Sequence, residues 1–188
     1  PRAVGYNREM TSGRITPHGS GRLAARHVHA AGFYRAAQGQ LLSSLGLGTY
    51  LGEMNESTDN SYTASIQAAV QGGVNVLDTA INYRQMQSER NIGTALRLLF
   101  DSGAAQRDEL LVCTKAGFLT PGAVPTGILR ADDVVANMHC LAPAFLADQI
   151  ERSRQNLNLE TIDVFYLHSP ETQLRFLTTD QFDQRILA

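Results

Sequence analysis

Four side chains in this sequence have the types and placement to do proton chemistry on a carbonyl: Asp78, Tyr83, Lys115 and His168. Lys115 is the only lysine; every other side-chain cation that stays charged at neutral pH is an arginine. A guanidinium remains protonated at any usable pH, whereas an ammonium is compact and its pKa moves when it is desolvated. Lys115 ends an apolar run, Leu110-Leu111-Val112-Cys113-Thr114. Asp78-Thr79-Ala80-Ile81-Asn82-Tyr83 puts a phenol shortly after a carboxylate. A phenol ordinarily titrates at about 10, too high for an efficient acid near neutrality. A neighbouring ammonium stabilises the phenolate, and a carboxylate holds the ammonium and offsets its desolvation. An imidazole can then donate a hydrogen bond to the substrate oxygen. Each group has an ordinary reading as well: a lysine left by an arginine-rich composition, a turn cap, an aromatic under a helix, a satisfied histidine at a sheet edge. Their joint placement argues for function.

Repeated strand and helix patterns must position these groups. Gln40 to Leu47 reads as a strand running into Gly48-Thr49. Thr58 and Asp59 offer capping oxygens to a helix with Tyr62, Ile66, Ala69 and Val70 on one side, stopped by Gly72-Gly73. Val74 to Leu77 is a short strand ending at Asp78, and Ser88 caps a second helix bearing Ile92, Ala95, Leu96 and Leu99. Leu110 to Lys115 forms the third strand, Pro143 opens the third helix, and Ile162 to Leu167 forms the fourth strand before His168. Thr179-Asp180 caps a last helix. Apolar strands alternating with amphipathic helices indicate parallel β/α units. Thr49, Asp78, Lys115 and His168 all fall at strand ends, the edge where ligands and catalysis sit in such folds. No Gly-x-Gly-x-x-Gly or Walker-type loop follows a strand, so a closed barrel is favoured over an open nucleotide-binding sheet.

With 188 residues, 43% of them hydrophobic, the chain can bury a core of its own. A net charge of -2 and an isoelectric point near 6.2 give no reason to expect nucleic acid or an anionic membrane as partner. Two cysteines, Cys113 in a strand and Cys140 in a loop, read as a reduced, cytoplasmic protein. Residues 1–39 form an N-terminal arm in which Arg2, Arg8, Arg14, Arg22 and Arg26 are scattered, with Glu9 the lone acid of the first thirty. They read as a structured arm or as a transit segment. The long stretch from Gly117 to Ala142 could wall a substrate site. Its His139-Cys140 pair makes a poor metal site without further ligands, so no metal is expected.

The same motifs resemble the aldo-keto reductases. Leu45-Gly-Leu-Gly-Thr-Tyr50 is similar to their first-strand motif, and Asp78-Thr-Ala-Ile-Asn-Tyr83 to their Asp-Thr-Ala-x-x-Tyr signature. Ser88-Glu-Arg-Asn-Ile-Gly93, Thr114-Lys115 and Asp163-Val-Phe-Tyr-Leu-His168 resemble the second helix start, the lysine strand and the histidine strand. The resemblance implies a (β/α)8 TIM barrel that transfers hydride from NADPH to an aldehyde or ketone. It implies Tyr83 as proton donor, Lys115 and Asp78 as its tuning partners, and His168 as the group that orients the carbonyl. Gly48, Thr49, Tyr50 and Asp78 would lie at the cofactor. Arg84 stands where many relatives carry glycine and Ser169 where many carry asparagine, which bears on substrate preference. Residues 40–188 would supply about the first four β/α units, and the arm would fold as an N-terminal hairpin through Gly32 to Gln38. The rest would come from a longer chain, from self-association, or from a second polypeptide. The alternative is a non-catalytic relative serving as a binding or assembly module.

Overall fold

The computed structural model describes residues 9–187; Arg2 and Arg8 of the arginine-rich start lie outside them. Helix α1 (Pro17–Arg26) begins at Thr16, whose hydroxyl accepts from the Gly19 amide at 2.9 Å, with Pro17 in the first turn. Its arginines carry the docking. Arg22 and Arg26 both bind the buried carboxylate of Glu109, and Arg22 also pairs with Asp108. Residues 17–26 of the arginine-rich arm are therefore a packed helix.

Strands β1 (Tyr34–Ala37) and β2 (Gln40–Ser43) form an antiparallel hairpin. Gln38 and Gly39 turn it, both at positive φ. This corrects the reading of Gln40 to Leu47 as one strand. Ser44 donates to the Phe33 carbonyl at 2.6 Å as the next rung of the hairpin, and the chain bends before β3 (Leu47–Gly48) begins. Asn75 fixes the hairpin against the sheet: its amide oxygen accepts from the Ser43 N–H and its amide nitrogen donates to the Leu41 carbonyl. Asn75 immediately precedes the next sheet strand, so the hairpin lies at the amino ends of the strands, away from Asp78 and Lys115.

Helix α2 (Glu56–Gln71) starts earlier than Thr58, because Asn55 caps it by accepting from the Thr58 amide at 2.9 Å. Strand β4 (Val76–Asp78) leads to α3 (Gln87–Asp101), and β5 (Leu111–Ala116) follows. The segment from Gly117 to Ala142 is ordered. It folds as an antiparallel pair, β6 (Val134–Val135) with β7 (His139–Cys140), bridged back to Phe118. Cys140 thus sits buried in a short strand rather than in a loop. Helix α4 (Pro143–Leu157), β8 (Val164–Leu167) and α5 (Thr179–Ile186) complete the chain, the last capped by Thr178 instead of Thr179.

The sheet order is β3-β4-β5-β8, all parallel. Helices α2, α3 and α4 cover one face, where Ile66, Val70, Ile92, Leu96, Leu99 and Leu157 close over Leu77 and Val112. Burying a side chain of this size stabilises the fold by roughly 1.5–3 kcal/mol. Helix α3 packs through Gly93, where an added Cβ would stand 2.6 Å from the Asn156 carbonyl oxygen of α4. Among the described residues the sheet does not close: β3 and β8 are its edges, and Tyr166 and Leu167 on β8 are exposed.

Candidate active site

Parallel pairing sets the four strands in register. Asp78 lies beside Gly48 on one side and Cys113 on the other, and Lys115 lies beside Tyr166. The chain then turns at each carboxyl end. Thr79 and Ile81 donate their amides to the carbonyls of Cys113 and Lys115, carrying Tyr83 over the rim of β5. His168 donates its amide to the Ala116 carbonyl, which extends β8 to the same rim.

At that rim the Lys115 ammonium donates to Asp78 Oδ2 at 2.7 Å and to the Thr79 carbonyl at 2.6 Å. The lysine side chain is 16% exposed and the aspartate 41%. The ammonium stands 4.8 Å from the centroid of the Tyr83 ring. Its two hydrogen bonds go to Asp78 and Thr79 rather than to the phenol oxygen. Tyr83 meets His168 edge-on at 5.6 Å and Tyr50 at 4.9 Å, and Phe118 closes against His168 at 5.1 Å. Asp78, Lys115, Tyr83 and His168 thus lie together at one rim.

Burial, and then the nearby Lys115 charge, hold the His168 pKa below the ordinary histidine value, so its ring is neutral at neutral pH. Its Nδ1 is buried and has no hydrogen-bond partner among the described residues. Cys113, beside Asp78 in the sheet, is chemically quiet: burial first, then the Asp78 and Asp163 carboxylates, push its thiol up to about 12.

A pocket of about 390 Å³ opens beside this rim, lined by Gly48, Thr49, Tyr50, Leu51, Tyr62, Asp78 and Tyr83. A Cβ at Gly48 would meet nothing within 4 Å, so the backbone here is open to the pocket. Thr49 differs from its neighbours. It is fully buried and its hydroxyl is engaged with Thr79 Oγ1 at 2.9 Å, so it supports the pocket from inside.

Sequence reasoning overlooked the residues that hold the rim in place. Ser88, assigned there to a helix cap, lies inside α3 and donates to the Thr49 carbonyl at 2.7 Å. Glu89 is fully buried and accepts from Thr114 Oγ1 and Asn156 Nδ2, each at 2.7 Å. Burial pushes its carboxyl pKa up. His139, on β7, is also fully buried: Nε2 donates to the His168 carbonyl at 2.8 Å, and Nδ1 accepts from Gln173 at 3.0 Å. Both these buried ionisable groups stand beside motif residues in sequence or space. Burial was the missing signal, since nothing in spacing distinguishes Glu89 from a solvent-facing helix acid.

The sequence model of the Aldo/keto reductase family matches residues 44–184. D-threo-aldose 1-dehydrogenase from a Pseudomonas species is 30% identical over 146 residues, 72% of this chain and 43% of that protein. L-glyceraldehyde 3-phosphate reductase of Escherichia coli K12 is 30% identical over 138 residues, 72% of this chain and 35% of its own length. The 2,5-diketo-D-gluconic acid reductase B of a Corynebacterium strain is 32% identical over 142 residues, covering 75% and 40%. The chain thus spans less than half the length of these relatives. With three quarters of its residues under the family's sequence model and the motif side chains gathered at one sheet rim, the chain belongs to the aldo/keto reductase family.

Proposed function

We propose that this chain carries the proton-transfer half of an NADPH-dependent carbonyl reductase. The observation that supports it best is the Lys115 ammonium, fixed by Asp78 and Thr79 at 4.8 Å from the Tyr83 ring. A cation there stabilises negative charge developing on the phenol oxygen as its proton leaves for the carbonyl oxygen. Asp78 keeps the ammonium oriented and offsets its partial burial. His168, held neutral, donates a hydrogen bond to the same carbonyl oxygen and fixes its direction of approach. The phenol and imidazole are then two donors to one oxygen, while the ammonium stabilises the phenolate that forms, an arrangement suited to a developing alkoxide.

The open backbone at Gly48 and the half-exposed Asp78 flank a cleft suited to the nicotinamide end of NADPH, with the exposed Tyr50 ring on its substrate side. When bound, that cofactor supplies the hydride. Gly48 and Asp78 would hold it there, with Tyr50 between the cofactor and the substrate. The cations at this rim, Lys115 and Arg84, are already engaged, so the grip on its phosphates falls to other residues. The four parallel strands are proposed to be the first four units of a (β/α)8 barrel. Further strands would add at the open edges of β3 and β8, from a continuation of the chain, a second copy or another polypeptide.

Tyr83→Phe tests the reading. It removes the proton donor while keeping the ring, and should lower NADPH-dependent reduction of a model aldehyde by about 10²–10⁴-fold. Turnover at the wild-type rate in Tyr83→Phe would show that another group donates the proton.

A further inference from the structure

Arg84 follows Tyr83, yet it turns away from the proton machinery and its side chain is only 2% exposed. Its backbone sits in the left-handed region at φ 48°, and Gln85 and Met86 continue there at 50° and 74°. Such a run is unfavourable for residues with side chains and persists only where surrounding contacts impose it. The contacts are explicit. Arg84 Nε and Nη2 both donate to the Glu53 carbonyl, at 3.0 and 2.6 Å. Nη2 also donates to Asp59 Oδ1 at 2.7 Å on α2, and Nη1 to Asn91 Oδ1 at 2.8 Å on α3.

Glu53 belongs to the irregular segment between β3 and α2, the same segment that gives Tyr50 and Leu51 to the pocket. Both side chains are exposed, so packing does little to hold them. A second anchor is Tyr62, whose hydroxyl donates to the Leu51 carbonyl and whose ring lies 5.3 Å beneath the Arg84 guanidinium. Between the two anchors, Gly52 takes φ 108°, and a Cβ there would press on Thr58 at 2.7 Å. The backbone on either side of Gly52 is thus tied down by the same stacked pair, Arg84 and Tyr62. Tyr50, one residue before the Leu51 anchor, is what then meets Tyr83 edge-on at 4.9 Å.

We infer that Arg84 is a positioning residue that clamps the Tyr50–Glu53 wall against Tyr83, setting how tightly the site holds the non-reacting part of its carbonyl substrate. This rests on the reductase reading proposed above. The forked, planar guanidinium is essential to the clamp, because it reaches a carbonyl, a carboxylate and an amide oxygen at once. A lysine offers one point charge and cannot span all three. A glycine relieves the backbone but supplies no donor.

The test uses Arg84→Gly and Arg84→Lys in the full-length natural protein, with hydrogen exchange and steady-state kinetics on one aldehyde. Both variants should speed amide exchange in residues 50–55 about tenfold or more while β5 and α3 keep their protection. Both should raise KM about tenfold with kcat within about twofold, the pattern of lost binding rather than lost chemistry. Unchanged exchange in 50–55 overturns the clamp, as does loosening that spreads equally through β5 and α3. If Arg84→Gly does not fold, Arg84→Lys decides alone. Absence of aldehyde turnover in the wild-type protein would defeat the reductase reading, and the exchange result would still judge the clamp.

Discussion

At the scale of single residues, the candidate site depends on a point charge in a narrow place. Lys115 reaches Asp78 and a main-chain carbonyl at once, both within 2.7 Å, beside the face of an aromatic ring. Arginine would bring the same charge with a wider, forked head and a strict preference for in-plane partners. Lys115→Arg is therefore expected to keep the fold and lose most activity, with aldehyde reduction down by about 10²-fold or more. A variant that folds and retains near-wild-type kcat would show that charge alone suffices. Arg84 is the converse case. There the fork is needed, and its acceptors come from two helices and a loop.

At the scale of elements, the site is set by how loops are tied to strand ends. His168 follows β8 directly, but the carbonyl it carries is gripped by His139 from the inserted β6–β7 pair. Gly117 makes this possible. A Cβ there would stand 2.6 Å from His139 Nε2 and 2.8 Å from the His168 carbonyl oxygen, so the constraint is close approach. Gly117→Ala should break the His139–His168 bond and cost about 1–3 kcal/mol of stability, as steric insertions into packed sites do. Denaturant melts would measure the loss, and unchanged stability would mean the loop shifts freely. Element boundaries were the weakest part of the sequence reading for a related reason. Asn55, Met86 and Thr178 begin helices that Thr58, Ser88 and Thr179 were expected to cap, because several polar residues sit near each start and only backbone geometry chooses among them. The hairpin at β1–β2 and the sheet strand β3 merged in the sequence because leucines and small residues run through both.

Across the whole molecule, buried ionisable groups couple stability to pH in opposing directions. Burial lowers the folded pKa of His139 and of His168 below 6.5, so below that value the unfolded chain takes up protons that the folded one refuses. Stability from this source is present above 6.5 and is lost as pH falls. Glu89 works the other way. Its folded pKa lies above the ordinary 4.5, so its contribution is present below 4.5 and is lost as pH rises through the raised value. The two partly cancel on the acid side. Glu89→Gln removes one of them, and its stability should fall more steeply than wild type between pH 6.5 and 5, read from thermal or urea melts at fixed ionic strength. An equal or shallower slope would mean that burial does not raise the folded pKa of Glu89. Among the described residues no helix is long and apolar enough to cross a membrane.

The sequence by itself determined the parallel β/α order, the family and the four residues gathered at the rim, because strand runs, helix spacing and local motifs are encoded over short distances. Only the tertiary structure decided that Thr49 is internal, that the arginine-rich arm docks through Glu109, and that Glu89, His139 and Arg84 brace the site from behind. These depend on contacts between residues far apart in the chain, and on burial that no spacing reveals.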